Sequence, residues 1–153
     1  MPARLAPYPA QVSALSVRLR EVVDALPLQP GMRVIEIGCG PGAAAREVAR
    51  RIGPHGRVLA VDRSRTAIEQ LTGASTELIE EGRLHTRVAA VEDLALEQGE
   101  QPYHLAFAVR VGVLDGRHPR RHGMALARVA SMLVPDGRLF IDGGDPLREL
   151  VLP

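Results

Sequence analysis

The chain has no lysine and no tryptophan, one cysteine, and aromatic residues at only 3% of its 153 positions. Each shortage excludes something. With Cys39 as the single cysteine, no intramolecular disulfide can form, which fits a reducing compartment. No second thiol accompanies it, so no metal site is expected. A thiol near the start of a helix can be reactive, but a small packing residue is the reading preferred for Cys39. All 19 basic residues are arginines, as codon bias in a G+C-rich genome would produce, and 18 acids leave a net charge of +1. Nothing in that balance argues for nucleic acid or an anionic membrane surface. Scarce aromatics mean that a core must be built from Ala, Val, Leu and Ile, which a 46% hydrophobic content supplies. No apolar run reaches the roughly 20 residues that cross a bilayer. The opening M-P-A-R-L-A-P-Y-P-A-Q carries prolines and polar residues where a signal peptide needs an unbroken apolar stretch. The expectation is a soluble, cytoplasmic protein folded as a single domain over residues 1–153.

What is present is an alternation of two periodicities. Val12, Leu15, Leu19, Val22, Val23 and Leu26 fall at helical spacing within residues 10–26, and Pro27, Pro30 and Gly31 end that segment. A short apolar strand follows at Arg33–Ile37, then a helical stretch at Ala43–Ile52 closed by Gly53-Pro54, then a strand at Arg57–Val61. A third helix is expected from about Thr66 to Glu81, capped by Ser64 or Thr66 and weakened inside by Gly73. Further strands are expected at Thr86–Val91, Tyr103–Val109 and Arg138–Ile141, with a helix at Ala125–Leu133 and a turn at Pro135-Asp136-Gly137 before the last. Strands alternating with helices imply a parallel sheet with right-handed crossovers. Runs such as V-I-E-I and L-A-F-A-V are apolar on both faces, as strands covered on both sides require. The fold class is therefore α/β, a doubly wound parallel sheet of about five strands.

In such a fold, ligands gather where the strand order reverses, at the carboxyl ends of the strands. Gly38, Gly40 and Gly42 follow the first strand directly, and three glycines in five residues exceed what a plain strand-to-helix turn requires. The helix after them directs its free N–H groups and positive dipole end to the same place. A dinucleotide remains open at this point. Gly38-x-Gly40-x-x-Ala43 satisfies the G-x-G-x-x-G/A pattern, and Asp62 stands 20 residues beyond Gly42, where an acid would meet a ribose hydroxyl. Glu36, inside the strand, points another way. Burying it is costly without a partner; a pyrophosphate would repel it and an ammonium group would suit it.

Together, Glu36-Ile37-Gly38-Cys39-Gly40-Pro41-Gly42, V-L-A-V-D-R-S around Asp62, A-A-V-E-D-L after the third strand and Leu133-Val134-Pro135-Asp136-Gly137 resemble the class I S-adenosylmethionine-dependent methyltransferases over about residues 10–142. The resemblance implies a Rossmann-like core with S-adenosyl-L-methionine as cofactor. It implies contacts from Glu36, Gly38, Cys39, Gly40 and Gly42, a ribose contact from Asp62 with Arg63 beside it, and Arg110 near the end of the fourth strand. The family's adenine-side aspartate falls on Ala90, so that end of the cofactor would fall to Val91, Glu92 or Asp93.

The family sheet usually continues past its fifth strand, whereas here eleven residues follow Asp142. The fifth strand would then be an exposed apolar edge, covered either by the tail D-P-L-R-E-L-V-L-P or by a second subunit, and a homodimer is expected. Arg110, Asp115, Arg117, His118, His122 and Asp142 follow strands four and five; of these, Asp115 and His118 are the candidate catalytic residues. The fourth strand ends in A-V-R-V-G-V-L-D-G without the N/D-P-P-Y motif of amino-directed nucleic-acid methyltransferases, so a small-molecule acceptor is expected. Two alternatives stand beside methyl transfer: non-catalytic binding of S-adenosylmethionine or S-adenosylhomocysteine, and a nicotinamide-dependent oxidoreductase. The second lacks a lysine for a catalytic Tyr/Lys pair.

Overall fold

The structure, a computed structural model, describes residues 15–153. Val12 of the expected first helix lies outside them. Six strands form one sheet: β1 Arg33–Ile37, β2 Arg57–Asp62, β3 Leu84–Val88, β4 Tyr103–Ala108, β5 Leu133–Asp142 and β6 Leu147–Leu150, in the order β3-β2-β1-β4-β5-β6. The first five pair in parallel, and β6 runs antiparallel to β5. Helices α1 Val17–Ala25, α2 Ala43–Arg51 and α3 Arg65–Ala74, followed by the short α4 Thr76–Glu80, connect the early strands. The one-turn α5 Gly112–Asp115 and the long α6 Pro119–Ser131 lie between β4 and β5.

Alternating strand residues feed two separate cores, which is why both faces of each inner strand are apolar. Val34, Val58, Ala60, Leu105 and Phe107 pack under Val23, Val48, Ile52 and Leu71 of α1 to α3. Ile35, Ile37, Leu59, Val61 and Ala106 pack under Leu114, Ala125, Val129 and Met132 of α5 and α6. The scarce aromatics are shared out, with Phe107 filling the first layer and Tyr103 the second, both fully buried.

Three elements differ from the sequence expectation for local reasons. The expected helix at 66–81 breaks at Ser75, whose backbone leaves helical geometry (φ −130°, ψ 24°) while its buried hydroxyl accepts from Arg46. Ser64 caps α3, its hydroxyl accepting from the Ala67 N–H. The third strand starts earlier and stops at Val88, and Val91–Asp93 turns into a single 3₁₀ turn with Val91 buried beneath it. The Pro-Asp-Gly turn at 135–137 sits inside β5 as a bulge: Tyr103 pairs with Leu133 and Leu105 with Arg138, so the ladder steps over the intervening residues.

The tail covers the β5 edge itself. Leu139 pairs with Leu150 and Ile141 with Arg148, while Arg138 stacks 4.9 Å from the Phe140 ring and meets Glu149 at 2.6 Å. Leu147 packs on one core and Leu150 on the other. Of the two ways to protect that edge, the chain uses its own C-terminal segment. No helix among the described residues is long and apolar enough to cross a membrane.

Candidate functional site

Strand order reverses between β2 and β4, on either side of β1, so the crevice opens where β1 delivers its glycines. Gly42 has φ +90°, and a β-carbon there would meet Leu71 at 2.5 Å, so the helix start and α3 pack only around a bare main chain. Gly40, at φ +55°, has nothing within 4 Å of where its side chain would stand. That side of the turn is open space. A β-carbon on Gly38 would meet Val111 at 2.6 Å, which brings the β4–α5 loop against the turn.

Two carboxylates of the chain hold this turn. Asp62, at the end of β2, accepts from the Gly40 N–H at 2.9 Å with one oxygen and from the Ser64 N–H at 2.8 Å with the other. Glu36 is 3% exposed and accepts from the Ala45 N–H in the first turn of α2, while its Oε1 has no hydrogen-bond partner. Burial pushes the Glu36 carboxyl well above the usual carboxylate range; nearby Asp62 raises it further, and the Ala45 hydrogen bond and nearby Arg46 oppose the rise. Arg46, equally buried, donates to the Pro41 carbonyl at 2.8 Å and to Ser75 Oγ at 3.4 Å, tying the turn to the α3–α4 break. The Gly40 and Ala45 amides, donors that a diphosphate would need, are thus already taken by acids of the chain.

Cys39 is buried, and its thiol donates to the Gly40 carbonyl at 3.4 Å. Burial and the nearby Glu36 and Asp62 push that thiol far above its ordinary range, so it has no thiolate character at neutral pH.

A cavity of about 660 Å³ lies beside the turn. Gly38, Asp62, Arg63, Val91, Glu92 and Arg110 of the expected cofactor residues line it. Glu36, Cys39, Gly40, Gly42 and the exposed Asp93 are not among the lining residues. The two catalytic candidates part company. His118 lines the cavity, whereas Asp115 does not. Arg117 donates through Nε to both Asp115 oxygens, at 3.0 and 2.9 Å, and through its backbone N–H to one of them. That hydrogen bonding holds the Asp115 carboxyl below its ordinary range, which makes it a weaker base. His122 turns inward to the Val113 carbonyl, and Asp142 accepts from the Arg110 N–H at 2.9 Å and from Arg18 at 2.9 Å.

Besides the expected site residues, Ile37, Ala89, Ala90, Val111, Gly112, Val113, Arg121 and Met124 line the cavity. Arg121 was recoverable: with Pro119 read as the first residue of a helix, residues 118 and 121 fall one turn apart on one face. Val111 carried no such signal.

A family model described as "Methyltransferase domain" matches residues 34–137. Nocamycin O-methyltransferase of Saccharothrix syringae is 29% identical over 136 residues, 87% of this chain and 46% of that protein. Ribosomal RNA small subunit methyltransferase H of Shewanella denitrificans is 46% identical over 55 residues, 36% of this chain and 18% of that protein. Among solved structures, coclaurine N-methyltransferase bound to N-methylheliamine and S-adenosylhomocysteine superposes with a TM-score of 0.65 at 21% identity, covering 80% of this chain and 34% of that one. The chain spans less than half the length of the first curated relatives it matches. With the sheet order, the glycine turn and the match across residues 34–137, the chain belongs to the class I methyltransferase family.

Proposed function

We propose that the chain binds S-adenosylmethionine and directs its methyl group to a small-molecule acceptor in the cavity beside the glycine turn. One observation carries the reading: the Gly40 amide of the turn and the Ala45 amide of the helix after it are already engaged by Asp62 and Glu36. A site so arranged disfavours a diphosphate and favours a ligand that brings positive charge. Glu36, with its unpartnered oxygen just beneath the turn, suits an ammonium group. The open face of Gly40 admits close approach, and Asp62 keeps lone pairs for ribose hydroxyls beyond its two amide bonds. Arg63 flanks that end, and Val91 and Glu92 form the rim where the base would rest.

When bound, the sulfonium would supply an electrophilic methyl group for in-line displacement by the acceptor, with the thioether as leaving group, so catalysis consists largely of alignment. The chain's own contribution is a wall made by Val111, Gly112 and Val113 facing that end. His118 stands on the same wall and would take a proton from an acceptor that must lose one. Asp115 acts through Arg117, ordering the loop between α5 and α6.

Calorimetric titration with S-adenosylmethionine, S-adenosylhomocysteine and NAD tests this directly. Adenosyl sulfonium and thioether should bind and NAD should not. Asp62→Ala should weaken the first two by about tenfold or more, the usual worth of hydrogen bonds to a charged group. Heat with NAD alone overturns the reading. Binding without methyl transfer to any of a broad acceptor panel, followed by mass spectrometry, would favour the binding-only alternative.

A further inference from the structure

The same cavity, taken as the methyltransferase site, segregates its charges. Asp62 and Glu92 line the end near β2 and β3, with Arg63 beside them. The end near β4 is lined by Arg110, His118 and Arg121, and no acid lines it. Two carboxylates of the adjoining segments are engaged elsewhere: Asp115 by Arg117, and Asp142 by Arg18 and the Arg110 N–H. Among the described residues, neither the Arg110 nor the Arg121 side chain has an ion pair or hydrogen bond of its own. Two guanidinium groups therefore face a common space with no protein anion between them.

Two further features show that this end departs from what stability alone would select. Arg110 has φ +58°, the left-handed conformation that side chains other than glycine seldom adopt, and Asp142 holds it there. Such outliers gather at functional sites because the surrounding structure must enforce them. Helix α6 carries Arg120 and Arg121 straight after its opening Pro119 and has no acid in its first turn, although the helix dipole favours acids at that position. Both departures add positive charge beside the cavity. Val111, Val113 and the 60% exposed Met124 give the same end an apolar floor and rim.

We propose that the methyl acceptor is a small amphiphilic acid, its carboxylate or phosphate monoester held between Arg110 and Arg121 and its apolar body lying along Val111, Val113 and Met124. The proposal rests on the methyltransferase reading and adds the chemical class of the acceptor. Planar guanidinium groups present paired N–H donors to such oxyanions, and the apolar wall turns the remainder of the molecule toward the β1 end of the cleft.

The test is a ligand-observed NMR screen of the protein saturated with S-adenosylhomocysteine. The library consists of matched pairs: aromatic and short aliphatic carboxylic acids with their primary amides, and phosphate monoesters with the parent alcohols. Acids should bind and their neutral partners should not, and the two acid arms show which oxyanion the site prefers. Arg121→Gln should weaken the acids by about tenfold or more, and Arg110→Gly should do the same while keeping the left-handed backbone, so that its melting temperature does not fall. Arg120→Gln, on the exposed side of the same helix and outside the cavity, should leave the preference intact. Acids and neutral partners binding alike, no fragment binding at all, or acid binding unchanged in both arginine variants would overturn the proposal. So would a short RNA hairpin that binds more tightly than any acid and is released by Arg121→Gln. Failure of S-adenosylhomocysteine to saturate the protein would remove the methyltransferase reading and this proposal with it. Saturation without acid preference removes this proposal alone.

Discussion

At the scale of single residues, Glu36 is the position where stability and binding pull apart. Its folded carboxyl titrates well above an exposed glutamate because burial penalises the charge. A raised folded value means that its stability contribution is complete below about pH 4.3, the unfolded value, and declines as pH rises toward the folded one. Glu36→Gln keeps the shape and the acceptor for Ala45 but carries no charge. Thermal melts should therefore place the ligand-free variant above wild type by more at pH 8 than at pH 5, while calorimetry should show weaker binding of S-adenosylmethionine. A melting gap independent of pH would contradict the assignment. Arg110 has the opposite logic, since a glycine there adopts φ +58° without strain. Chemical denaturation of Arg110→Gly should show no loss of stability and a gain of up to about 1 kcal/mol, the release of left-handed strain set against glycine's extra chain entropy.

At the scale of elements, the glycine turn joins β1 to α2 and its two later glycines do separable work. Gly42→Ala requires both a disfavoured backbone and displacement of Leu71, and should cost about 2–4 kcal/mol in urea unfolding. Gly40→Ala meets open space and should cost only about 1 kcal/mol of backbone strain, while weakening binding of S-adenosylmethionine, which the proposed function lays against that bare main chain. Equal stability losses in the two variants would show that the turn is not divided in this way. The turn was legible in the sequence because glycine spacing and the acid before it are local signals. Arg57–Asp62 and Ala43–Arg51 were legible for the same reason, each bounded by turn residues. The α3–α4 break was not, since it depends on a hydrogen bond between Arg46 and Ser75, 29 positions apart. Nor was the pin formed by Tyr103, Glu100 and Arg87, whose hydroxyl–carboxylate contact of 2.6 Å and ion pair of 2.8 Å anchor the loop before β4. The cavity's far wall was legible only in part. Arg110 follows strand four directly and His118 lies in the loop after α5, whereas Arg121 and Met124 reach the site through the pitch of α6, which starts six residues earlier than hydrophobic spacing alone suggests.

At the scale of the whole molecule, one antiparallel strand closes an otherwise parallel sheet. β6 supplies hydrogen bonds to a β5 edge whose Leu139, Phe140 and Ile141 are buried. Removing residues 144–153 would leave that edge bare, the situation soluble sheets avoid. The shortened chain should self-associate, seen as a rise in apparent mass by light scattering at micromolar concentration, whereas Arg138→Ala alone should shift stability by less than about 1 kcal/mol, as exposed ion pairs do. A shortened chain with unchanged apparent mass would mean that the edge needs no cover.

The contact between Arg18 and Asp142 joins positions 124 residues apart, and Arg18 is 56% exposed. Dissolved electrolyte screens such a pair, and the carboxylate it steadies is the one that fixes the main chain at Arg110. The contour of the cleft is therefore sensitive to ionic strength through a brace on the first helix, although none of the cleft's own charged residues sits in an ion pair among the described residues.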